Sequence, residues 1–168
     1  MNRWLRLLRH RWHDEADARR ALGGGALDRL RERVAASERL HSGEIRICVE
    51  AGLPLSYLWR GASAHERALA MFGKLRVWDT EANNGVLIYL LLAERRIEIV
   101  ADRGLSRRVD ASHWQSIAAG MSEAFRAGRF EEGLNAAVDA VSRELCEHFP
   151  LGAQAANPNE LPDAPLVR

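Results

Sequence analysis

Hydrophobic and polar positions change their period several times along the chain, and each change marks an element. At the start, Trp4, Leu5, Leu8 and Trp12 share one face at helical spacing, with Arg3, Arg6, Arg9 and His13 mostly opposite and Arg11 on the edge of the stripe. This predicts a basic amphipathic helix. Such a helix either lays its apolar face on an anionic membrane surface or a partner, or packs that face on its own domain with the arginines outside. Asp14 to Gly25 is a transition, with an acidic turn (Asp14, Glu15, Asp17) and a break at Gly23-Gly24-Gly25. Leu27, Leu30, Val34 and, less regularly, Leu40 then predict a helix from Ala26 to Leu40, ended by His41-Ser42-Gly43. From Glu44 to Glu50 the period drops to two. Ile45, Ile47 and Val49 point one way, as in a strand with one buried face. Ala51 to Gly61 reads as a loop whose Leu53, Leu55, Tyr57, Leu58 and Trp59 fold back on the core. A helix from Ala62 to Leu75 follows, carrying Leu69, Phe72 and Leu75 inward.

Val77 to Gly85 is a polar loop, and Val86 to Leu92 is a continuous apolar run, the pattern of a central strand covered on both faces. Glu94-Arg95 is a tight connection to Arg96–Ala101, which alternates again, so the two strands predict a hairpin. Trp114, Ile117, Met121 and Phe125 line one helix, capped by Asp110 or by Ser112 with Gln115 at capping-box spacing, and Gly128 suits its C-terminal end. Leu134, Val138, Val141 and Leu145 line a last helix from Phe130 to His148. Pro158, Pro162 and Pro165 predict an extended or disordered tail over residues 150–168. A strand, a crossover helix and a second strand make a right-handed parallel unit, and the third strand returns antiparallel. The expected fold is α/β, a three-layer α/β/α sandwich with a small mixed central sheet. Residues 1–21 form a basic helical segment ahead of the domain at 22–149.

Composition narrows the class. The length, 168 residues, suits one domain of the usual ~100–200. With 47% apolar and 28% charged residues the chain is an ordinary globular one. The net charge of +1 gives no footprint for nucleic acid, and two cysteines, Cys48 and Cys146, exclude a disulfide framework. The longest apolar run is far below the roughly 20 residues that span a bilayer, and the arginines near the N-terminus interrupt any signal-peptide core. A cytoplasmic chain, with peripheral membrane contact through residues 1–13, is expected.

The element order gathers three loops at one end of the sheet: His41–Glu44, Asp79–Asn84 and Asp102–Ser106. Glu44, Asp79, Thr80, Asn83, Asn84 and Asp102 then share one rim, a set of carboxylates and amides suited to a hard cation such as Ca²⁺ or Mg²⁺. The same residue types also serve as plain turn formers. Asp79, Glu81 and Asn83 imitate the start of an EF-hand loop. However, the glycine comes one place late, Leu90 stands where the final Glu belongs, and a strand follows. Arg103, with Arg107 and Arg108, can attract an anion beside the rim. Nucleophilic catalysis lacks its residues: there is no G-x-S-x-G elbow, no phosphate loop follows the glycines, and Cys48 reads as a buried structural thiol.

Asn83-Asn84-Gly85-Val86-Leu87-Ile88-Tyr89, then Glu98-Ile99 and Asp102-Arg103-Gly104, resembles the TPM domain family. The likeness extends upstream to Ser42-Gly43-Glu44-Ile45 and downstream through Trp114, Met121, Phe125, Gly128–Gly133 and Phe149-Pro150. The resemblance implies an α/β sandwich. Members of the family are associated with photosystem repair, receptor accessory roles and bacterial envelopes; some are proposed acid phosphatases, and some bind divalent cations in an acidic cleft. It implies metal positions at Asp79, Asn83, Asn84 and Asp102 here. The chain departs from the exported members and is similar to their shorter soluble branch. The resulting expectation is an interaction or accessory domain for an unknown protein partner, with a Ca²⁺ or Mg²⁺ site. The alternative is a metal-assisted acid phosphatase in which Asp79 and Asp102 hold the metal and Arg103 meets the phosphate.

Overall fold

A computed structural model describes residues 3–152 and 157–168; residues 1, 2 and 153–156, which the expected N-terminal contact segment and tail include, lie outside the described residues. The chain opens with α1 (Arg3–Arg11), α2 (Glu15–Leu22) and α3 (Ala26–Ser37). Asp14 caps α2 in a reciprocal box with Asp17. β1 (Ile45–Glu50) follows, then α4 (Leu55–Trp59), α5 (Ala64–Lys74), β2 (Val86–Leu91) and β3 (Arg96–Ala101). A short α6 (Arg103–Ser106) leads to α7 (Ala111–Gly120), α8 (Ser122–Arg126), α9 (Phe130–His148) and β4 (Leu166–Val167).

The sheet has the order β3-β2-β1-β4. β1 runs parallel to β2 and to β4, and β2 pairs antiparallel with β3. All six residues of β2 are buried because both faces of the sheet are covered. On one face Ile45, Ile47, Val49, Ile88 and Leu90 pack with residues of α2, α3 and α9. On the other Cys48, Leu87, Tyr89 and Leu91 pack with Leu58 of α4 and Ala64, Ala68 and Met71 of α5. The fold is therefore the expected three-layer sandwich with a mixed sheet.

Several local expectations change: α3 ends at Ser37 and leaves Leu40 exposed, and Leu55 and Trp59 face solvent instead of the core. Leu69 is exposed, because Arg67 takes the inward position on α5 to meet Glu50 on β1. The stretch read as one loop contains α4. The helix lined by Trp114 and Phe125 breaks after Gly120, where the Ser122 hydroxyl donates to the carbonyl of Ala119 at 2.6 Å. The tail is tied down at its end: β4 pairs with β1, and the amides of Arg168 and Ala51 exchange bonds with the carbonyls of Val49 and Arg168. Gly128 behaves as read. At φ +78° it ends α8 in a Schellman turn, with Gly128 N–H on the Phe125 carbonyl and Arg129 N–H on that of Ala124.

Candidate functional site

The three loops expected at one rim do meet. The Gly104 amide donates to the Asn83 carbonyl, and a Cβ on Gly104 would lie 2.4 Å from that oxygen, so only glycine permits this approach. Arg103 Nε donates to Asn83 Oδ1 at 2.7 Å. Asn84 is buried; its side-chain amide donates to the carbonyl of Ser42 at 3.0 Å, joining the second loop to the first. Asp102 stands at the N-cap of α6, where one carboxylate oxygen accepts from the Arg103 amide at 2.7 Å. Its other oxygen, Oδ2, is buried with no hydrogen-bond partner among the described residues. Asp79 lies on the same loop, but its carboxylate turns to Arg76, 2.6 Å away, on the exposed side. Asn83, Asn84, Asp102 and Arg103 are thus brought together, and Asp79 is not joined to them.

Next to this rim lies an acidic neighbourhood that sequence reasoning missed, except for Glu44. Glu38, past the end of α3, accepts from the Ile45 amide at 2.8 Å. Burial pushes its carboxyl up to about 8, with Glu44 and Asp163 adding to the rise. Glu44 is also raised by burial; one of its oxygens accepts from the Leu161 amide, and the other is buried without a hydrogen-bond partner among the described residues. Burial lowers His41 instead. Asn157 donates to the carbonyls of Glu38 and His41, so residues 157–163 roof this region. No local pattern signals it, since the roof comes from the far end of the chain.

A second group of potential ligands sits on α9. Glu144, Glu147 and His148 offer ligand atoms within 4.8 Å of one another and could hold a metal ion. His113 of α7 reaches Glu144 at 2.8 Å. The signal was present in the sequence, because positions i, i+3 and i+4 share a helix face.

α1 docks on the domain through its polar side. His10 is buried; its Nδ1 accepts from the Leu53 amide at 3.0 Å, and its Nε2 faces Glu94 Oε1 at 3.0 Å. Arg6 donates to the same carboxylate oxygen at 2.8 Å and to the Ala62 carbonyl at 2.7 Å. These partners hold Glu94 down at about 2, the His10 bond contributing most. Gly52 lets α1 approach, since a Cβ there would lie 2.7 Å from the His10 carbonyl oxygen. The predicted apolar stripe faces outward: Trp4, Leu5, Leu8 and Trp12 are 72%, 60%, 54% and 80% exposed. Packing of that stripe on the domain is therefore overturned, because the polar side carries the bonds.

Elsewhere, polar groups are spent on structure. Arg67 forks onto Glu50 at 2.7 and 2.5 Å, and Tyr89 donates to the same carboxylate at 2.7 Å, all buried between α5 and the sheet. Burial pushes the Cys48 thiol up to about 12, so it stays protonated and inert.

Among the described residues no helix is long and apolar enough to cross a membrane. No curated protein matches the chain. Solved structures share its fold. The chain is similar to the BA42 protein of the psychrophilic bacterium Bizionia argentinensis, determined by NMR, with 24% identity over 84% of this chain and 91% of that one and a TM-score of 0.71. It is similar also to the N-terminal domain of a protein from P. gingivalis, with 22% identity over 83% and 94% of the two chains and a TM-score of 0.61. The TPM domain model matches residues 16–144, from α2 through the rim and most of α9. The sandwich, the rim around Asn83, Asn84 and Asp102, and this match across most of the sequence lead to one conclusion: the chain belongs to the TPM domain family.

Proposed function

We propose that the chain is a non-enzymatic accessory domain that works at an anionic membrane surface, docked through α1, with a divalent cation held at the rim. The docking of α1 through its polar side carries this reading. Arg6 and His10 are committed inward, which leaves Leu5, Leu8 and Trp12 outward with Arg9 and Arg11 exposed beside them. Indoles and leucines enter the headgroup boundary, and guanidiniums meet lipid phosphates. α4, packed beside α1, adds exposed Leu55 and Trp59. Co-sedimentation with phosphatidylglycerol vesicles tests the reading. The intact chain should sediment with them, less so as salt rises. Leu8→Asp with Trp12→Asp should lower binding at least tenfold and leave the melting temperature unchanged, because both side chains are exposed. An intact chain that stays in the supernatant ends the membrane role.

The unpartnered Asp102 Oδ2 supports a cation at the rim, since a buried carboxylate oxygen without a donor suits an oxygen-seeking ion. Asn83 and Asn84 flank it and Asp79 lies on the same loop. About 5 mM Ca²⁺ or Mg²⁺ against a site of millimolar strength should stabilise the fold by about 1 kcal/mol. That is a rise of a few degrees in melting temperature, absent in Asp102→Asn. A rise kept in Asp102→Asn but lost in Glu144→Gln would move the ion to α9. The alternative, a metal-assisted phosphomonoesterase, places Arg103 beside Asp102 as the phosphate-facing group. Turnover of p-nitrophenyl phosphate that disappears with chelator and with Asp102→Ala would favour it over the accessory role.

A further inference from the structure

Among the described residues β3 ends the sheet, with β2 on one side and no strand on the other. The register decides which of its backbone groups are left over. The Asp102 amide donates to the Gly85 carbonyl at 2.8 Å, so that opposed pair is a hydrogen-bonded one. Bonded and non-bonded pairs alternate along an antiparallel ladder. The pairs Leu87–Val100, Tyr89–Glu98 and Leu91–Arg96 therefore carry the bonds to β2. The N–H and C=O groups of Ile97, Ile99 and Ala101 point to the open side, and among the described residues they bond no other segment of the chain.

That side is hollow. A cleft of about 730 Å³ runs along it, lined by all six residues of β3, by α7 and α8 on one flank and by His65 of α5 on the other. Natural sheets blunt such an edge with proline, a bulge or a cover. β3 has neither proline nor bulge; its register with β2 is unbroken from Arg96 to Ala101. The cleft wall holds Trp114, whose indole Nε1 is buried without an acceptor among the described residues. One end carries Arg95, Arg96 and Arg126. Arg95 donates to the Arg126 carbonyl, Arg96 pairs with Glu98 on the cleft wall at 3.3 Å, and the nearby carboxylate of Glu94 is taken by Arg6 and His10, which leaves the three guanidiniums in excess there.

We propose that this cleft is a peptide-binding groove, in which an extended segment of a partner protein pairs with β3 as a fifth strand. The segment is apolar at alternate positions and acidic at the end that meets Arg95, Arg96 and Arg126. Main-chain bonds to Ile97, Ile99 and Ala101 supply affinity, and the apolar wall with its basic end supplies selectivity. Six residues of strand span about 20 Å, so the recognised motif is about six residues long. The groove stands on the sheet edge and not on α1 docking, and its test contains no lipid.

The 168-residue chain is panned against a display library of random decapeptides, and enriched sequences are resynthesised with fluorescein for anisotropy titrations. Enriched peptides should alternate apolar residues and carry Asp or Glu at one end. N-methylation of every second backbone amide should abolish binding in one parity and spare it in the other. Ala101→Pro removes an outward N–H without touching a bond to β2 and should weaken binding about tenfold or more. Arg96→Glu with Arg126→Glu should do the same for acidic peptides, and more so at low salt. The methylation series resides in the peptide, so it decides the matter even if a variant chain fails to fold. No enrichment over the unselected library, or binding indifferent to which amides are methylated, overturns the groove.

Discussion

Glu38 sets the pH response of the region beside the rim. Its carboxyl moves from 4.5 in the free state to about 8 in the fold, through burial first and then through Glu44 and Asp163. Between those values the native chain keeps a proton that the unfolded chain has released. The contribution is therefore complete below pH 4.5 and is lost as pH rises through 8. Glu44 shifts in the same direction. His41 acts oppositely, but only below its ordinary 6.5, where the unfolded chain gains a proton that the buried ring resists. The clean window is thus pH 6.5 to 9. Across it the wild-type chain should lose on the order of 2 kcal/mol, seen as a falling melting temperature. Glu38→Gln, which keeps the shape and cannot ionise, should flatten that slope. A wild-type profile already flat over the window would remove Glu38 from this role. Nothing around Glu38 in the sequence distinguishes it from a solvated helix-end acid; Asp163, which deepens the shift, is over a hundred residues away.

Elements show the same division between local pattern and distant partner. The period-two runs place β1 and β3 within a residue of their ends, and the 4-3-4 spacing of Leu134, Val138, Val141 and Leu145 places α9 at Phe130–His148. Those signals are legible because a buried stripe must recur at the repeat of its own backbone. α1 obeys the period, yet its apolar stripe faces outward. Its orientation is decided by Glu94 and by the Leu53 amide, to which Arg6 and His10 are matched. Glu94→Ala takes both carboxylate bonds from α1. Trypsin should then cut after Arg9 and Arg11 about tenfold faster, through local opening, while the urea midpoint of the domain moves little. Equal cleavage rates in both chains would mean that α1 is held by something other than this cluster.

For the whole molecule, topology does what no single element does. The parallel crossover followed by an antiparallel return puts the loop before β1, the loop before β2 and the turn after β3 at one end, so Ser42, Asn84 and Asp102 become neighbours. That much follows from element order, and the turn residues of the rim could be named in advance. The same sheet leaves β3 as one edge and covers the other with β4, brought from the end of the described chain. Three prolines make residues 150–168 read as a tail, and the two residues that pair with β1 are too few to carry a period of their own.

Period, turn chemistry and crossover handedness are local or nearest-neighbour constraints, so the linear chain by itself determined the layers, the three main strands and the meeting of the rim loops. Tertiary structure alone decided which face of α1 is outward, that Asp79 turns to Arg76 while Asp102 keeps a bare oxygen, and that Glu38 holds its proton. Those outcomes depend on the burial and pairing of single polar groups. The partner or the roof of each lies elsewhere on the folded surface, where hydrophobic spacing carries no information.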